Sequence, residues 1–333
     1  MHLSIVTTLY YSAPHLQEFY ARISSAAAAI TSDFEIILVN DGSPDNALEM
    51  AVSLHERDHR VRVIDLSKNF GHHKPMMTGL AYARGDLVFL LDSDLEEEPE
   101  LLTTFYHVMH SGPADVDVVY GVQNRRRGGL VERVTGTIYF KLFNLLSTDP
   151  VPENLITARL MTRRYVAALV QHREREVCVS GLWASTGFTQ LPVAVTKRQR
   201  KGSAYTFRGR ASHLVNGITS FSNKPLVLIF YLGCLIVGVA SMAALYLIFR
   251  RLLFGVLLSG WPSVIVSIWL LGGLTIFCVG VIGIYLSKVF LETKQRPYTI
   301  IRQVYERREP SPSLEPEAVA SRLYDDTGRG TDR

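Results

Sequence analysis

Short apolar runs alternate with helix-patterned stretches from the first residues to Tyr120. Ser4 to Leu9, Glu35 to Asn40, Val61 to Leu66, Leu87 to Leu91 and Val116 to Tyr120 are compact apolar segments and predict strands. Ala13 to Thr31, Asn46 to Arg57, Lys74 to Ala83 and Pro99 to Met109 lie between them and predict helices. Such alternation implies right-handed crossovers and an α/β fold, a mostly parallel sheet with flanking helices on both faces. Val131 to Ala168 reads as helical, broken at Pro150 and Pro152, and Val177 to Lys197 as irregular strands. Ala211 to Phe221 carries an apolar stripe that predicts an amphipathic helix on a membrane surface.

Two later segments, Pro225 to Phe249 and Pro262 to Leu286, are apolar and free of charge. Each is about 25 residues long, or ~37 Å as a helix, enough to cross a ~30 Å hydrocarbon core with some tilt. Both are apolar on every face, which predicts a two-helix transmembrane hairpin rather than two core helices. Lys201, Arg208, Arg210 and Lys224 precede the hairpin, and Lys288, Lys294, Arg296 and Arg302 follow it. The connecting loop, Arg250 to Trp261, carries only Arg250 and Arg251. The positive-inside rule therefore predicts a multi-pass protein of the inner (plasma) membrane with its large N-terminal part in the cytoplasm. Leu3 to Leu9 already reads as a strand with no basic stretch before it, so no signal peptide is expected. The expected organisation is a catalytic domain over 1–210, a juxtamembrane helix over 211–224, membrane helices over 225–288, a cytoplasmic segment over 289–308 and a disordered tail over 309–333.

Composition narrows the chemistry. Three well-separated cysteines, Cys178, Cys234 and Cys278, argue against both a disulfide framework and a zinc site. The net charge of +4 conceals basic clusters at Arg125 to Arg127, at Arg159, Arg163 and Arg164, and over Lys197 to Lys201. Such a belt suits anionic lipid or phosphate, and equally a solvated positive face beside a membrane; no nucleic-acid partner is expected. Gly233, Gly238, Gly272, Gly273, Gly280 and Gly283 leave room for the close helix approach a homo-oligomer would use.

The most informative run is Leu87 to Asp94, an apolar strand that ends in Asp92-Ser93-Asp94. Two like charges so close repel unless a cation or hydrogen bonds hold them. Strand alternation would aim both carboxylates to one side, where Mg2+ or Mn2+ shared with substrate phosphates would be held by oxygen ligands. An acidic turn after a strand would leave the same string. Thr7-Thr8 and Asp41-Gly42-Ser43 also follow predicted strands, at the strand ends where such sheets bind ligands.

Val39-Asn40-Asp41-Gly42-Ser43, Leu66-Ser67-Lys68-Asn69-Phe70-Gly71-His72, Asp92-Ser93-Asp94 and Thr219-Ser220-Phe221-Ser222-Asn223-Lys224-Pro225-Leu226, followed by the apolar hairpin, occur in an order that resembles family 2 glycosyltransferases. Within them the chain is similar to the polyprenyl-phosphate branch, the bactoprenol glucosyltransferases and dolichol-phosphate mannose synthases. The resemblance implies a GT-A-type fold and an inverting, metal-dependent transfer of one sugar from a nucleotide sugar, by default a UDP-sugar, to undecaprenyl or another polyprenyl phosphate. That reaction serves cell-surface glycan synthesis such as lipopolysaccharide or O-antigen modification. Carried over by resemblance, Asp41 holds the base or ribose, Asp92 contacts the nucleotide sugar and Asp94 binds the metal. Thr7, Leu9, Lys68, His72 and Ser93 complete the donor site, and Arg125, Arg126 and Arg127 face the acceptor phosphate.

Relatives carry an Asp two residues before the arginine of an "Asp-x-x-Gly-Asp-Phe-Arg-Leu"-like segment. Here Thr157 replaces that carboxylate and Ala158 the aromatic residue, while Arg159 is kept. Glu153 is a candidate replacement carboxylate, so Asp92, Asp94, Glu153 and Arg159 form the expected catalytic set; Glu153 also reads as an exposed loop residue after Pro152. Pro99, Glu98 and Glu100 suit a helix N-terminus. A processive polysaccharide synthase would carry a Gln-x-x-Arg-Trp motif, absent here. A silent scaffold partnering a flippase or a second transferase has only the changes at Thr157 and Ala158 in its favour.

Overall fold

The computed structural model describes residues 1–123, 154–172, 179–196, 224–254 and 260–307. Its centre is an eight-stranded sheet of order β7-β5-β6-β4-β1-β2-β3-β8. The strands are β1 Leu3–Leu9, β2 Phe34–Asn40, β3 Val61–Leu66, β4 Leu87–Leu90, β5 Val118–Gln123, β6 Leu155–Thr162, β7 Gln190–Val195 and β8 Ile301–Tyr305. β4, β1, β2 and β3 run parallel, as the alternating pattern predicts. The helices are α1 Ala13–Ala28, α2 Ala47–Arg57, α3 His73–Tyr82, α4 Leu101–Ser111, α5 Arg163–Leu169, α6 Val179–Ser185, α7 Lys224–Phe254 and α8 Trp261–Thr293.

The central strands are apolar on both faces because both are covered. Ile5, Leu9, Ile36 and Phe89 pack with Phe19 of α1, Ala51 of α2 and Phe105 of α4. Val6, Ile37, Val39 and Val88 pack with Met77 of α3, Tyr165 of α5 and Leu182 of α6. Burying each large side chain contributes about 1.5–3 kcal/mol. This is the α/β, GT-A-type layering implied by the resemblance.

Three segments differ from expectation. Residues 155–162, expected to be helical, form β6, antiparallel to both β4 and β5. Both of its faces are buried, so strand alternation is hidden, and Arg159 breaks the apolar pattern while being only 1% exposed. Gly121 of β5 admits this crowding: an added Cβ would lie 2.4 Å from Ile156 Cδ1. The segment expected as irregular strands contains α6 before β7. The segment after the apolar helices, expected as a plain juxtamembrane stretch, supplies β8, which pairs antiparallel with β3. The expected amphipathic helix over Ala211 to Phe221 and the tail over 309–333 lie outside the described residues.

α7 and α8 are both longer than the apolar runs that predicted them. Among the described residues, Ser267–Thr293 is the stretch long and apolar enough to cross a membrane. Trp269 is 79% and Ile276 75% exposed.

A polar network closes the sheet at the end opposite the aspartates. Glu35 accepts hydrogen bonds from Ser4 Oγ at 2.6 Å, Arg62 at 2.8 Å and the Arg84 N–H at 2.8 Å. Arg62 also reaches Glu306, just past β8, at 2.8 Å. Burial works to raise the Glu35 pKa, but the bonds from Ser4, Arg62 and Arg84 outweigh it and hold the pKa below the ordinary 4.5. Glu35→Ala is expected to destabilise the folded chain by about 3–5 kcal/mol, because Arg62 stays buried with one partner fewer. A depressed carboxylate pKa stabilises above its unfolded value. In urea titrations the wild type should therefore lose stability as pH falls from 4.5 through the lowered folded value, and the variant should lack that component.

Candidate active site

Asp41, Lys68, His72, Asp92 and Asp94 gather at one edge of the sheet, beyond the carboxyl ends of β2, β3 and β4. Asp92 and Asp94 do not sit on β4 itself, which ends at Leu90; they occupy the turn that follows. Strand alternation therefore does not set their directions; hydrogen bonds do. Asp94 accepts from the Glu96 N–H at 3.0 Å, and Leu95 between them has φ 59°, a left-handed conformation costly for a leucine. Ser93 is buried and bonds to the Thr8 carbonyl and the Ser12 hydroxyl, both at 2.8 Å.

β6 completes the site from the other side. Its register with β4, Leu87 opposite Thr162 and Leu90 opposite Arg159, brings Thr157 opposite Asp92 when continued past the strand end. Thr157 Oγ1 donates to Asp92 Oδ2 at 2.7 Å. His72 Nε2 lies 3.7 Å from Asp92 Oδ1, within ion-pairing reach when the imidazole is protonated. Glu97, 1% exposed, accepts the Thr157 N–H at 3.1 Å and the Ala158 N–H at 2.8 Å. Nothing in the acidic run Glu96 to Glu100 distinguishes Glu97 by sequence; the clue is that a buried carboxylate must find donors. Glu100, by contrast, takes a forked bond from Arg22 at 2.8 and 2.6 Å and ties α4 to α1.

A cavity of about 160 Å3 opens between His72, Met76, Glu97, Thr157, Ser180 and Trp183. The buried Arg159 guanidinium stacks over the Trp183 ring from behind. Its Nε donates to the Thr157 carbonyl at 3.3 Å. Burial pushes its pKa down to about 9, which still leaves it charged at neutral pH.

The third group is built on β2 and β3. Asp41, 3% exposed, donates its N–H to the Leu9 carbonyl at 3.0 Å, and its Oδ1 accepts the Phe70 N–H at 2.7 Å. Burial raises its pKa to about 6, against bonds from the Phe70 and Gly71 N–H groups. Gly42 has φ +59°, and an added Cβ would lie 2.6 Å from Asn69 N, so the two loops touch. Lys68 is exposed, its Nζ 5.4 Å from the Phe70 ring centroid. Thr7 is fully buried, and its hydroxyl has no partner among the described residues. Tyr10 and Tyr11, exposed and 4.8 Å apart, stand beside these loops; the Tyr11 N–H donates to Ser43 Oγ at 2.8 Å. The sequence reading did not single out these tyrosines, although adjacent aromatics directly after a strand are a usable signal. Glu153 and Arg125, Arg126 and Arg127 lie outside the described residues.

Residues 4–169 match the model of glycosyl transferase family 2. A Mycobacterium tuberculosis protein, named as a glycosyltransferase, is 58% identical over 93% of this chain and 92% of its own length. An uncharacterized glycosyltransferase of Synechocystis is 31% identical, with coverages of 92% and 96%. The prophage bactoprenol glucosyl transferase homolog of Escherichia coli K12 is 29% identical, with coverages of 91% and 99%. With most of their length shared, the chain belongs to glycosyl transferase family 2 and is a glycosyltransferase.

Proposed function

We propose that this chain transfers one sugar from a nucleotide sugar, a UDP-sugar by default, to a polyprenyl phosphate at the cytoplasmic face of the membrane. The observation that carries the lipid acceptor is the path of the chain. α8 ends at Thr293, and β8 has joined the sheet by Ile301. An extended chain spans at most about 28 Å over that stretch, so the donor-side edge stays close to the end of the apolar helix. In this reading α7 and α8 form the two-helix hairpin, residues 1–210 with β8 form the catalytic domain, and the acceptor's phosphate meets the site at the interface.

Asp41 takes the ribose or base, with Tyr10 and Tyr11 as an aromatic platform beside it. Lys68 and His72 lie along the diphosphate, Asp92 orients the sugar, and Arg125 to Arg127 are assigned to the acceptor phosphate, because guanidinium groups suit phosphate. Asp94 and Asp92 are hard oxygen donors with lone pairs to spare, which fits Mg2+ or Mn2+. Among the described residues no group of three His, Cys, Asp or Glu could hold a metal alone. Donor phosphates and water would therefore complete the shell, as is usual for Mg2+. When bound, the ion neutralises charge on the departing diphosphate. An acceptor oxygen forms the new bond to the anomeric carbon as the bond to the diphosphate breaks and its electron pair leaves with the nucleotide. A phosphate monoester, with its second pKa of about 6, is already ionised and requires no base. Thr157 can therefore stand where relatives keep a carboxylate: it orients Asp92 by donation and takes no proton.

The test is mass spectrometry of undecaprenyl phosphate incubated with detergent-solubilised enzyme, Mg2+ or Mn2+ and a panel of nucleotide sugars, read for a single added sugar. Asp94→Ala should lower product formation at least about 100-fold, and chelation should do the same; normal turnover by the variant under chelation overturns the mechanism. Thr157→Ala should cost about 10- to 100-fold by removing one bond to a charged group, and Thr157→Ser should retain most of the rate.

Asp41 supplies a pH signature. Its raised pKa means that its contribution to stability is fully present below the ordinary 3.8 and is lost as pH rises through about 6. Nucleotide affinity should move the opposite way, rising through about pH 6 as the carboxylate ionises. Asp41→Asn should flatten both trends, in calorimetry for affinity and in thermal melts for stability.

A further inference from the structure

The strand that returns from the apolar helix touches one loop of the proposed donor site directly and reaches the other through the buried Asp65 and Asn40. Ser67, at the head of the second loop, donates its N–H to the Ile300 carbonyl at 2.8 Å. Arg302 of β8 donates to the Ser67 carbonyl at 2.7 Å and to Asp65 Oδ2 at 3.3 Å. Asp65 is 2% exposed, and its other oxygen accepts Asn40 Nδ2 at 2.8 Å. Asn40 in turn accepts the Ser43 N–H at 3.3 Å through Oδ1. A continuous relay thus runs from the membrane-return strand to the Asp41–Ser43 turn, with a second branch to the 67–72 loop. The two branches meet where the Phe70 N–H bonds to Asp41.

We infer that Arg302 is a positioning residue for nucleotide binding, which makes the strand following the apolar helix part of the donor site's support. The inference rests on reading the 41–43 and 67–72 loops as the donor site. The geometry favours positioning over simple sheet closure. A backbone ladder already pairs β8 with β3, while the Arg302 side chain goes to the loop carbonyl and to the carboxylate behind the turn. Losing it leaves the buried Asp65 with one fewer donor and removes one of the two bonds that hold Ser67 at the start of the 67–72 loop. Arg307 serves as a comparison from the same segment: its bond goes to the Glu56 carbonyl, at the end of α2.

The experiment measures calorimetric affinity of the full detergent-solubilised chain, in Mn2+, for whichever of UDP, GDP or dTDP binds tightest, together with transfer kinetics on undecaprenyl phosphate. Arg302→Ala should weaken nucleotide binding and raise the donor KM about 10-fold, with kcat at saturating donor within about two-fold of wild type. Arg302→Lys should recover most of the affinity, and Arg307→Ala should leave it unchanged. Equal losses for Arg302→Ala and Arg307→Ala, or a fall in kcat with donor KM unchanged, would overturn the inference and leave Arg302 a stabilising residue only. If Arg302→Ala does not fold, Arg302→Gln carries the comparison, and wild-type affinity in that variant overturns the inference as well. Asp41→Asn separates the two levels. If it leaves affinity intact, or if no nucleotide binds, the donor-site reading fails; if it weakens binding while Arg302→Ala does not, only the role of Arg302 fails.

Discussion

A threonine hydroxyl and an aspartate carboxylate facing each other across one strand pair organise this site. The antiparallel register of β6 on β4 brings Thr157 to Asp92, and Glu97 secures that register by accepting two consecutive main-chain N–H groups of β6. Each partner answers a requirement of burial. A buried carboxylate needs donors, and an N–H at the irregular end of a strand needs an acceptor. Behind them, the buried Arg159 stacks on Trp183. The wall of the cavity therefore follows from how β6 is held.

The acidic residues illustrate how environment separates chemically similar groups. Glu35 is buried yet held below its ordinary pKa by two charged or polar side chains and a backbone donor. Asp41 is comparably enclosed but, among the described residues, receives only backbone N–H groups near an imidazole, and burial prevails. The first is equipped to stay ionised as part of the scaffold. The second carries a desolvation cost, in keeping with the tendency of perturbed groups to mark functional sites.

Confinement is the third element of the design. The chain leaves the sheet after β7, runs through two long apolar helices and returns to pair β8 with the edge of β3. An unpaired β3 edge would be a template for aggregation, and β8 covers it. The same pairing sets Arg302 against Ser67 and Asp65, so sheet closure and loop support share one strand.

What could be read from the sequence was whatever depends on local pattern. Apolar runs of strand length separated by helical periods disclosed β1 to β4 and α1 to α4, and long uncharged stretches disclosed α7 and α8. The strings around Asp41, Lys68 and Asp92 disclosed where polar groups would collect, since ligands meet such sheets at strand ends. Local pattern did not reveal β6, because a strand buried on both faces loses its alternation and a buried arginine imitates an exposed position. It did not reveal β8, whose short run of mixed apolar and polar, partly exposed residues becomes a strand only against an available edge. Nor did it separate Glu97 from its acidic neighbours or pair Thr157 with Asp92. Those depend on which segments meet across the sheet, and register between strands distant in sequence is decided by packing and hydrogen-bond satisfaction in three dimensions.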